Sequence, residues 1–317
     1  MEPLDLSAPT EETVSSSELD CYRQCRLKHQ LQYMERWRTD EEHEALARGT
    51  LFHSVMEAHY KTLREAQVEG DGIPDHQDLW LAVAPLLYEE GTGDQSDRQA
   101  LVEWIYRGYV ETYGVDKDWE IVAVEYPLDD VLYHEDGSPS RFRLAGTADL
   151  IVRDRGVRGG LWLIDHKTCK DLPKKDLDLE DQTAVYTLLL RRAGWDIRGA
   201  IYNFCRTYKL KTRDMHQGER FKRHTTIRGL RELETCAYEI LELMEEAYGR
   251  NLRIGTMKVR DAPRSPNGDT CGWKCNMTEA CLAGRKSGAD ATRQFLRDIG
   301  FTQRDSKPGP TFNKERS

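Results

Sequence analysis

No run of about 18 consecutive apolar residues occurs in this 317-residue chain, which argues against a transmembrane helix. The opening segment, MEPLDLSAPTEETVSSS, has neither the basic nor the apolar region of a secretory signal. That absence points to a reducing, cytoplasmic compartment, where free thiols and metal–thiolate sites persist. The motif G-x4-G-K-[S/T] is missing, so any nucleotide-driven engine would be a separate protein. Internal repeats and coiled-coil heptads are missing as well. Basic charge is not in excess either. The net charge is −9, with 38% hydrophobic and 32% charged residues. Such a balance works against binding a polyphosphate chain.

The distribution of charge changes that picture. Residues 1–20 carry six acidic side chains and no basic one, which leaves the rest of the chain at only −3. Residues 206–228 hold eight basic residues (Arg206, Lys209, Lys211, Arg213, Arg220, Lys222, Arg223, Arg228) against Asp214 and Glu219. Tyr202, Phe204, Tyr208 and Phe221 are interleaved with them. The run reads either as a groove that tracks phosphates and stacks bases or as a solvated loop.

The periodicities predict helices near 17–36, with Ser17 and Asp20 as a capping box, and over 43–67, 77–90 and 96–114. On 43–67, Leu46, Leu51, Phe52, Val55, Met56 and Leu63 are the apolar positions. Strands follow at 119–127, 142–153 and 160–167. An amphipathic helix at 178–194 and a strand at 197–205 come next, with helices at 229–249 and 288–299. The order predicts an α/β fold: a mixed central sheet flanked by helices, a helical N-terminal part and a cysteine-rich C-terminal cap. The expected organisation is a disordered acidic leader (1–16), a single domain over 17–300 and a disordered tail (301–317). Within the domain, 17–116 is the helical part, 117–228 the catalytic core and 229–300 the C-terminal helix with the cysteines.

The chemistry concentrates in three segments, GTADLIV, LWLIDHKT and EDQTAVYTLLL. The first two read as paired strands joined by Asp154–Gly160, with Gly and Asp where a hairpin needs positive φ. Pairing brings Asp149 to Asp165, and the period of two puts Lys167 on the face of Asp165. Asp is disfavoured inside strands, so two of them beside Leu-Ile runs need a reason. Two carboxylates suit Mg²⁺ or Mn²⁺, and the ammonium can orient a water or stabilise charge at phosphorus. Gln182 and Tyr186 share a helical face at i, i+4.

The ordered set His53, Asp149, Asp165, Lys167, Gln182 and Tyr186 resembles the PD-(D/E)XK nuclease superfamily, in particular its RecB-type exonuclease branch. The resemblance runs from about Ser17 to Cys281 and implies a restriction-endonuclease-like core. It implies that His53, in RGTLFHSVMEAHY, binds metal together with Asp149, Asp165 and the backbone carbonyl of His166. Glu125, in VAVEYPL, is implied near the site. Its two readings are a metal ligand, direct or through water, and a solvent-facing strand residue. Gln182 would touch the site or the DNA backbone, and Tyr186 would meet phosphate or stack.

Eight cysteines are present, three of them in CGWKCNMTEAC. Such density reads as soft-metal ligation. Some RecB-type nucleases, including the AddB nuclease domain and CRISPR-associated adaptation nucleases, hold a 4Fe–4S cluster with one early and three late cysteines. That resemblance implies Cys25, Cys271, Cys275 and Cys281, with Cys21, four residues before Cys25, as the rival early ligand. Zn²⁺ is the alternative occupant. Cys169, Cys205 and Cys236 read as buried thiols. The expected function is Mg²⁺- or Mn²⁺-dependent exonuclease action on DNA, single-stranded or with free ends, in recombination or repair, beside a separate helicase or recombinase and without membrane contact. A non-catalytic DNA-end-binding module and a restriction-like endonuclease are the alternatives.

Overall fold

The computed structural model describes residues 12–40, 44–70, 72–89, 92–173, 177, 180–208, 215–254, 261–268, 271–272 and 275–308. In chain order the elements are β1 (Glu12–Val14), α1 (Ser16–Gln24), α2 (Arg26–His29), a π-helical turn (Gln30–Met34), β2 (Trp37–Arg38), α3 (Glu44–Glu69), α4 (His76–Leu87) and α5 (Asp97–Tyr113). Then come β3 (Trp119–Tyr133), β4 (Pro139–Asp154), β5 (Leu161–Cys169), α6 (Asp181–Arg192), β6 (Ile197–Arg206), α7 (Gln217–Arg220) and β7 (Phe221–Thr226). The chain closes with α8 (Leu230–Ile254), α9 (Thr278–Ser287), α10 (Ala289–Asp298) and β8 (Thr302–Gln303). Among the described residues no helix is long and apolar enough to cross a membrane.

The chain divides into two compact units. One comprises Glu42–Leu128 and Thr147–Leu233; the other holds the chain before Glu42, Asp129–Gly146 and the chain from Glu234. The first unit is the α/β body. β4 and β5 pair antiparallel, Leu150 opposite Ile164, through a turn whose Gly159 and Gly160 take φ of 61° and 75°. β5 and β6 run parallel, joined through α6, and β7 returns antiparallel to β6. β5 alternates strictly. Trp162 and Ile164 join the core made with α3, α4 and α5, whereas Lys167 meets Gln182 of α6. Phe52, Val55, Met56, Tyr60 and Leu63 recur at helical spacing and are all buried, which is why α3 docks on this sheet. Each such side chain contributes about 1.5–3 kcal/mol. Leu46, expected on that face, is 64% exposed, because it lies a turn and a half before the core begins.

In the other unit β1 runs parallel to the start of β4, with Glu12 opposite Phe142. Residues 12–16 therefore depart from the expected leader; Val14 is buried. The cap of α1 is Ser15, whose Oγ accepts from the Glu18 N–H, rather than Ser17 with Asp20. The expected single helix over 17–36 breaks at Cys25, which is extended at φ −162° and ψ 116°. Leu27, Leu31, Trp37, Met277, Ala280, Leu296 and Phe301 form one apolar cluster of this unit. Phe301 is buried and Thr302–Gln303 pairs with Trp37–Arg38, so the tail expected from 301 is ordered over 301–308. Its remainder, like residues 1–11 of the leader, lies outside the described residues.

Candidate active site

The described site lies in the α/β unit, where β3, β4 and β5 meet α3 and α6. Asp149 on β4 accepts a hydrogen bond at 2.7 Å from the His166 backbone N–H on β5. His53, on α3, places Nδ1 at 3.4 Å from the same Asp149 Oδ2. Glu125 completes a group with them: one ligand atom from each of His53, Glu125 and Asp149 lies within 4.8 Å of the others. Glu125 sits inside a strand at φ 49°. That conformation costs a non-glycine residue roughly 1–3 kcal/mol and is concentrated at functional sites.

Asp165 and Lys167 share the other face of β5. Lys167 Nζ lies 3.0 Å from Asp165 Oδ1 and donates to Gln182 Oε1 at 2.8 Å. Asp165 Oδ2 is buried without a hydrogen-bond partner. A buried carboxylate oxygen left bare is costly unless a cation or donor meets it. Tyr186 is one turn beyond Gln182 but only 6% exposed, packed into the core instead of facing phosphate or bases. It sits in the buried run Thr183–Leu190 of α6, which explains its position.

The electrostatics follow from crowding. Burial opposes the charged form of His53, but Asp149 and its hydrogen bond raise it to about 9. Burial, with Asp149 and Glu57, pushes Glu125 up to about 7. Asp149 is held below the usual carboxylate range: burial pushes it up, and His53, His166 and Lys167 outweigh that. Asp165 is raised by burial and by Asp149, against the pull of Lys167. For Lys167 burial favours the neutral form, yet Asp165 and Asp149 raise it. Burial lowers His166 to about 3, so its imidazole is neutral. The donor set of hard oxygens with one imidazole, and the bare Asp165 oxygen, fit a divalent cation such as Mg²⁺ or Mn²⁺.

The sequence reading missed several neighbours. Glu57 and Lys61, one and two turns beyond His53 on α3, form an ion pair whose charges act on Glu125. Their H-x3-E-x3-K spacing was a legible signal. Asn203, alone in the apolar strand around it, donates to His166 Nδ1 at 2.8 Å.

The basic run does not form one charged surface. Arg220 is buried, donates to the Trp104 carbonyl at 2.8 Å and stacks on the Trp104 ring at 4.0 Å. Arg223 makes a paired contact with Asp116 at 2.6 and 2.9 Å and lies 3.7 Å over Tyr113. Arg228 is buried against the carbonyls of Leu177 and Glu180. Tyr202, Phe204 and Phe221 are core residues. These arginines are structural, because each is held by carbonyls, rings or a carboxylate of the fold instead of being offered to solvent. Lys222 and Tyr208 are exposed; Lys209, Lys211 and Arg213 lie outside the described residues.

In the other unit, Cys25, Cys271, Cys275 and Cys281 line one cavity of about 170 Å³ with Leu27, Arg264 and Thr278. The Thr278 hydroxyl lies at 2.6 Å from the Cys271 carbonyl and 3.1 Å from that of Cys275. Arg264 Nε donates to Cys281 Sγ at 3.2 Å. Cys21 is buried and does not line this cavity; it lies 4.0 Å from Gln32 Oε1, and burial raises its thiol to about 12. The break at Cys25 removes the shared helical face expected for the two residues. Cys205 and Cys236 are buried, whereas Cys169 is half-buried at the end of β5. All eight thiols are free.

A sequence profile of the PD-(D/E)XK nuclease superfamily matches residues 13–282. No curated protein matches the chain. Among solved structures, a candidate exonuclease from Eubacterium rectale is 12% identical with a TM-score of 0.45, covering 88% of this chain and 92% of its own. SSO0001 is 14% identical with a TM-score of 0.31, covering 71% of this chain and 84% of its own.

Proposed function

The chain belongs to the PD-(D/E)XK nuclease superfamily, and from that premise we propose that it is a metal-dependent DNA exonuclease of the RecB type. The observation that carries this reading is the meeting of His53, Glu125 and Asp149 beside the Asp165–Lys167 pair. His53, Asp149, Asp165 and the His166 carbonyl would hold Mg²⁺ or Mn²⁺, with Glu125 bound directly or through water. The cation supplies Lewis-acid activation of the scissile phosphate and of a water. Lys167 is the group that orients the attacking water or balances charge at phosphorus, and Gln182 fixes the ammonium by accepting from it. Water oxygen bonds to phosphorus, the P–O ester bond breaks, and the leaving oxygen is protonated. Tyr186, being buried, supports the helix that carries Gln182.

The four thiols of the other unit fit a 4Fe–4S cluster, with Cys25 as the early ligand. The arrangement of one early and three late cysteines supports the cluster, and Zn²⁺ held by the same four thiolates is the alternative occupant. The substrate is DNA with free ends, single-stranded by preference, in recombination or repair, with unwinding left to a separate helicase or recombinase.

The test is digestion of end-labelled single- and double-stranded DNA, and of closed circles, with Mg²⁺ or Mn²⁺. Release of mononucleotides from ends, with circles spared, is expected. Cleaved circles would make the protein a restriction-like endonuclease. Binding of ends without hydrolysis would make it an accessory module.

A further inference from the structure

His166 lies between the two residues asked to bind the cation and activate water, and its backbone N–H holds Asp149. Its ring points into the face of the sheet that α3 and α5 cover, where it stacks on Tyr60. On that face His166, Asn203 and Arg223 occupy one rung across β5, β6 and β7. Tyr60 of α3, with Tyr109 of α5 and Asp116 just after it, closes the row. All six polar side chains are joined by hydrogen bonds, and the direction of each bond can be deduced.

Asp116 fixes the first direction. Its carboxylate only accepts, from Arg223 at 2.6 and 2.9 Å and from the Tyr60 hydroxyl at 2.8 Å. With its proton given to Asp116, Tyr60 must accept in its 2.6 Å contact with Tyr109. Tyr109 has then used its one proton, so it accepts from Arg223 Nη2 at 2.8 Å and from Asn203 Nδ2 at 3.0 Å. That fixes the Asn203 amide with its NH2 toward Tyr109. The second N–H of the same amide meets His166 Nδ1 at 2.8 Å, so Nδ1 accepts. His166 must carry its proton on Nε2.

We infer that the Arg223–Asp116 pair sets the tautomer and ring orientation of His166 through Tyr60, Tyr109 and Asn203, and that Asn203 is thereby a positioning residue for the cation site. The inference rests on the metal-dependent reading above. The ring is locked on one side by Asn203 and on the other by Tyr60, so the peptide that orients Asp149 cannot swing. Partners of this kind, once removed, typically cost about 10–100-fold in metal affinity.

The experiment uses the full chain with ¹⁵N-labelled histidine. Long-range ¹H–¹⁵N spectra report the tautomer, and the set lost in His166→Gln identifies His166. Mn²⁺ affinity is measured alongside by titration, and KM for DNA by kinetics. The wild type is expected to show Nε2–H only. Tyr60→Phe frees the Tyr109 proton to turn toward Asn203, so His166 should shift toward Nδ1–H. Mn²⁺ affinity should fall by about tenfold in Tyr60→Phe and in Asn203→Leu, with KM for DNA unchanged. Thr187→Val, which removes a buried hydroxyl bonded only to the Thr183 carbonyl of its own helix, should leave both readouts unchanged.

A wild-type Nδ1–H would overturn the inference. So would Mn²⁺ affinity within twofold of wild type in both network variants, or an equal loss in Thr187→Val. If the wild type itself binds no Mn²⁺, the metal-dependent reading fails instead, and the tautomer data still decide the direction of the network.

Discussion

The carboxylate site around Asp149 and the thiol site around Cys271 are both candidate metal centres, yet they are held in opposite ways. At the first, strands and long helices place the groups, and the side chains are tied to each other. Asp149 is fixed by the His166 N–H, Lys167 by Asp165 and Gln182, and His166 by Asn203. At the second, Cys25 sits in a helix break, Cys271 in a short helical turn and Cys275 in irregular chain before α9. Thr278 touches only their backbone carbonyls, and the hydrogen bond found to one of these sulfurs is that of Arg264. A site preorganised by its fold loses chemistry when a ligand is removed. A site closed by its guest loses stability as well.

The widest separation between the two should come from Asp165 and Lys167. Asp165→Asn or Lys167→Ala is expected to reduce hydrolysis at least about 10³-fold, since each removes a group aimed at the reacting atoms. Folding should survive. Burial raises Asp165, so its ionised form costs the metal-free protein stability, whereas its charge supports the buried Lys167; the two oppose, and Asp165→Asn should stay folded with a Tm within a few degrees of wild type. Turnover near wild type in either variant would remove these residues from the reaction.

The thiol site should answer the other way. Protein prepared without oxygen is expected to be brown, with broad absorption near about 400 nm. Cys271→Ser or Cys275→Ser should bleach it and cost about 3 kcal/mol, or roughly 6–12 °C in Tm. Cys21→Ser should retain the colour. Colourless protein containing one zinc would refute the cluster and leave the nuclease reading intact.

Much of this contrast was legible in the sequence because it rests on local spacing. D-x-K on a strand must share a face, and Gln182 with Tyr186 must share a helical face. The strands around Asp149 and Asp165 pair as their apolar runs imply. The remainder depended on distant partners. Nothing local shows that the helix stops at Cys25, that Glu125 turns to positive φ, or that α9 forms in a Gly- and Asn-rich stretch. The role of Asn203 needs three strands and two helices to be in place before it has meaning. Tyr186 illustrates the limit most plainly: its spacing was right, but whether a helical face meets solvent or core is a tertiary fact.

Proton linkage gives a smaller but sharper test of the carboxylate site. His53 must be neutral to bind a cation, and in the metal-free site it is raised to about 9, mainly by Asp149 acting against burial. Glu125, raised to about 7 by burial, must also lose its proton. Mn²⁺ affinity should therefore climb with pH by up to roughly a hundredfold per unit below about 7, where both protons are displaced, by roughly tenfold per unit between about 7 and 9, and level off above. The stability of the metal-free protein should move oppositely. The His53–Asp149 contribution is complete below about 6.5 and is lost as pH rises through about 9. Calorimetry in buffers of different ionisation enthalpy counts the protons released, and zero release at pH 7 would exclude His53 and Glu125 as ligands.

The smallest effect is expected within the basic stretch, where two cations with the same formal charge should behave differently. Arg228 is 5% exposed and donates to the carbonyls of Leu177 and Glu180. Its removal deletes both hydrogen bonds, but the Leu177 carbonyl keeps the Glu180 N–H and Glu180 is exposed, so the loss should be about 1–2 kcal/mol in all. Lys222 is exposed, with one long contact at 3.4 Å to the Pro173 carbonyl. Lys222→Ala should change stability by no more than about 0.5 kcal/mol. If Lys222 meets a DNA phosphate, the same substitution should flatten the salt dependence of single-strand binding by about 0.7 in log–log slope. A salt slope identical to wild type would assign Lys222 to solvent. The DNA path would then have to be sought among the other cations of the chain.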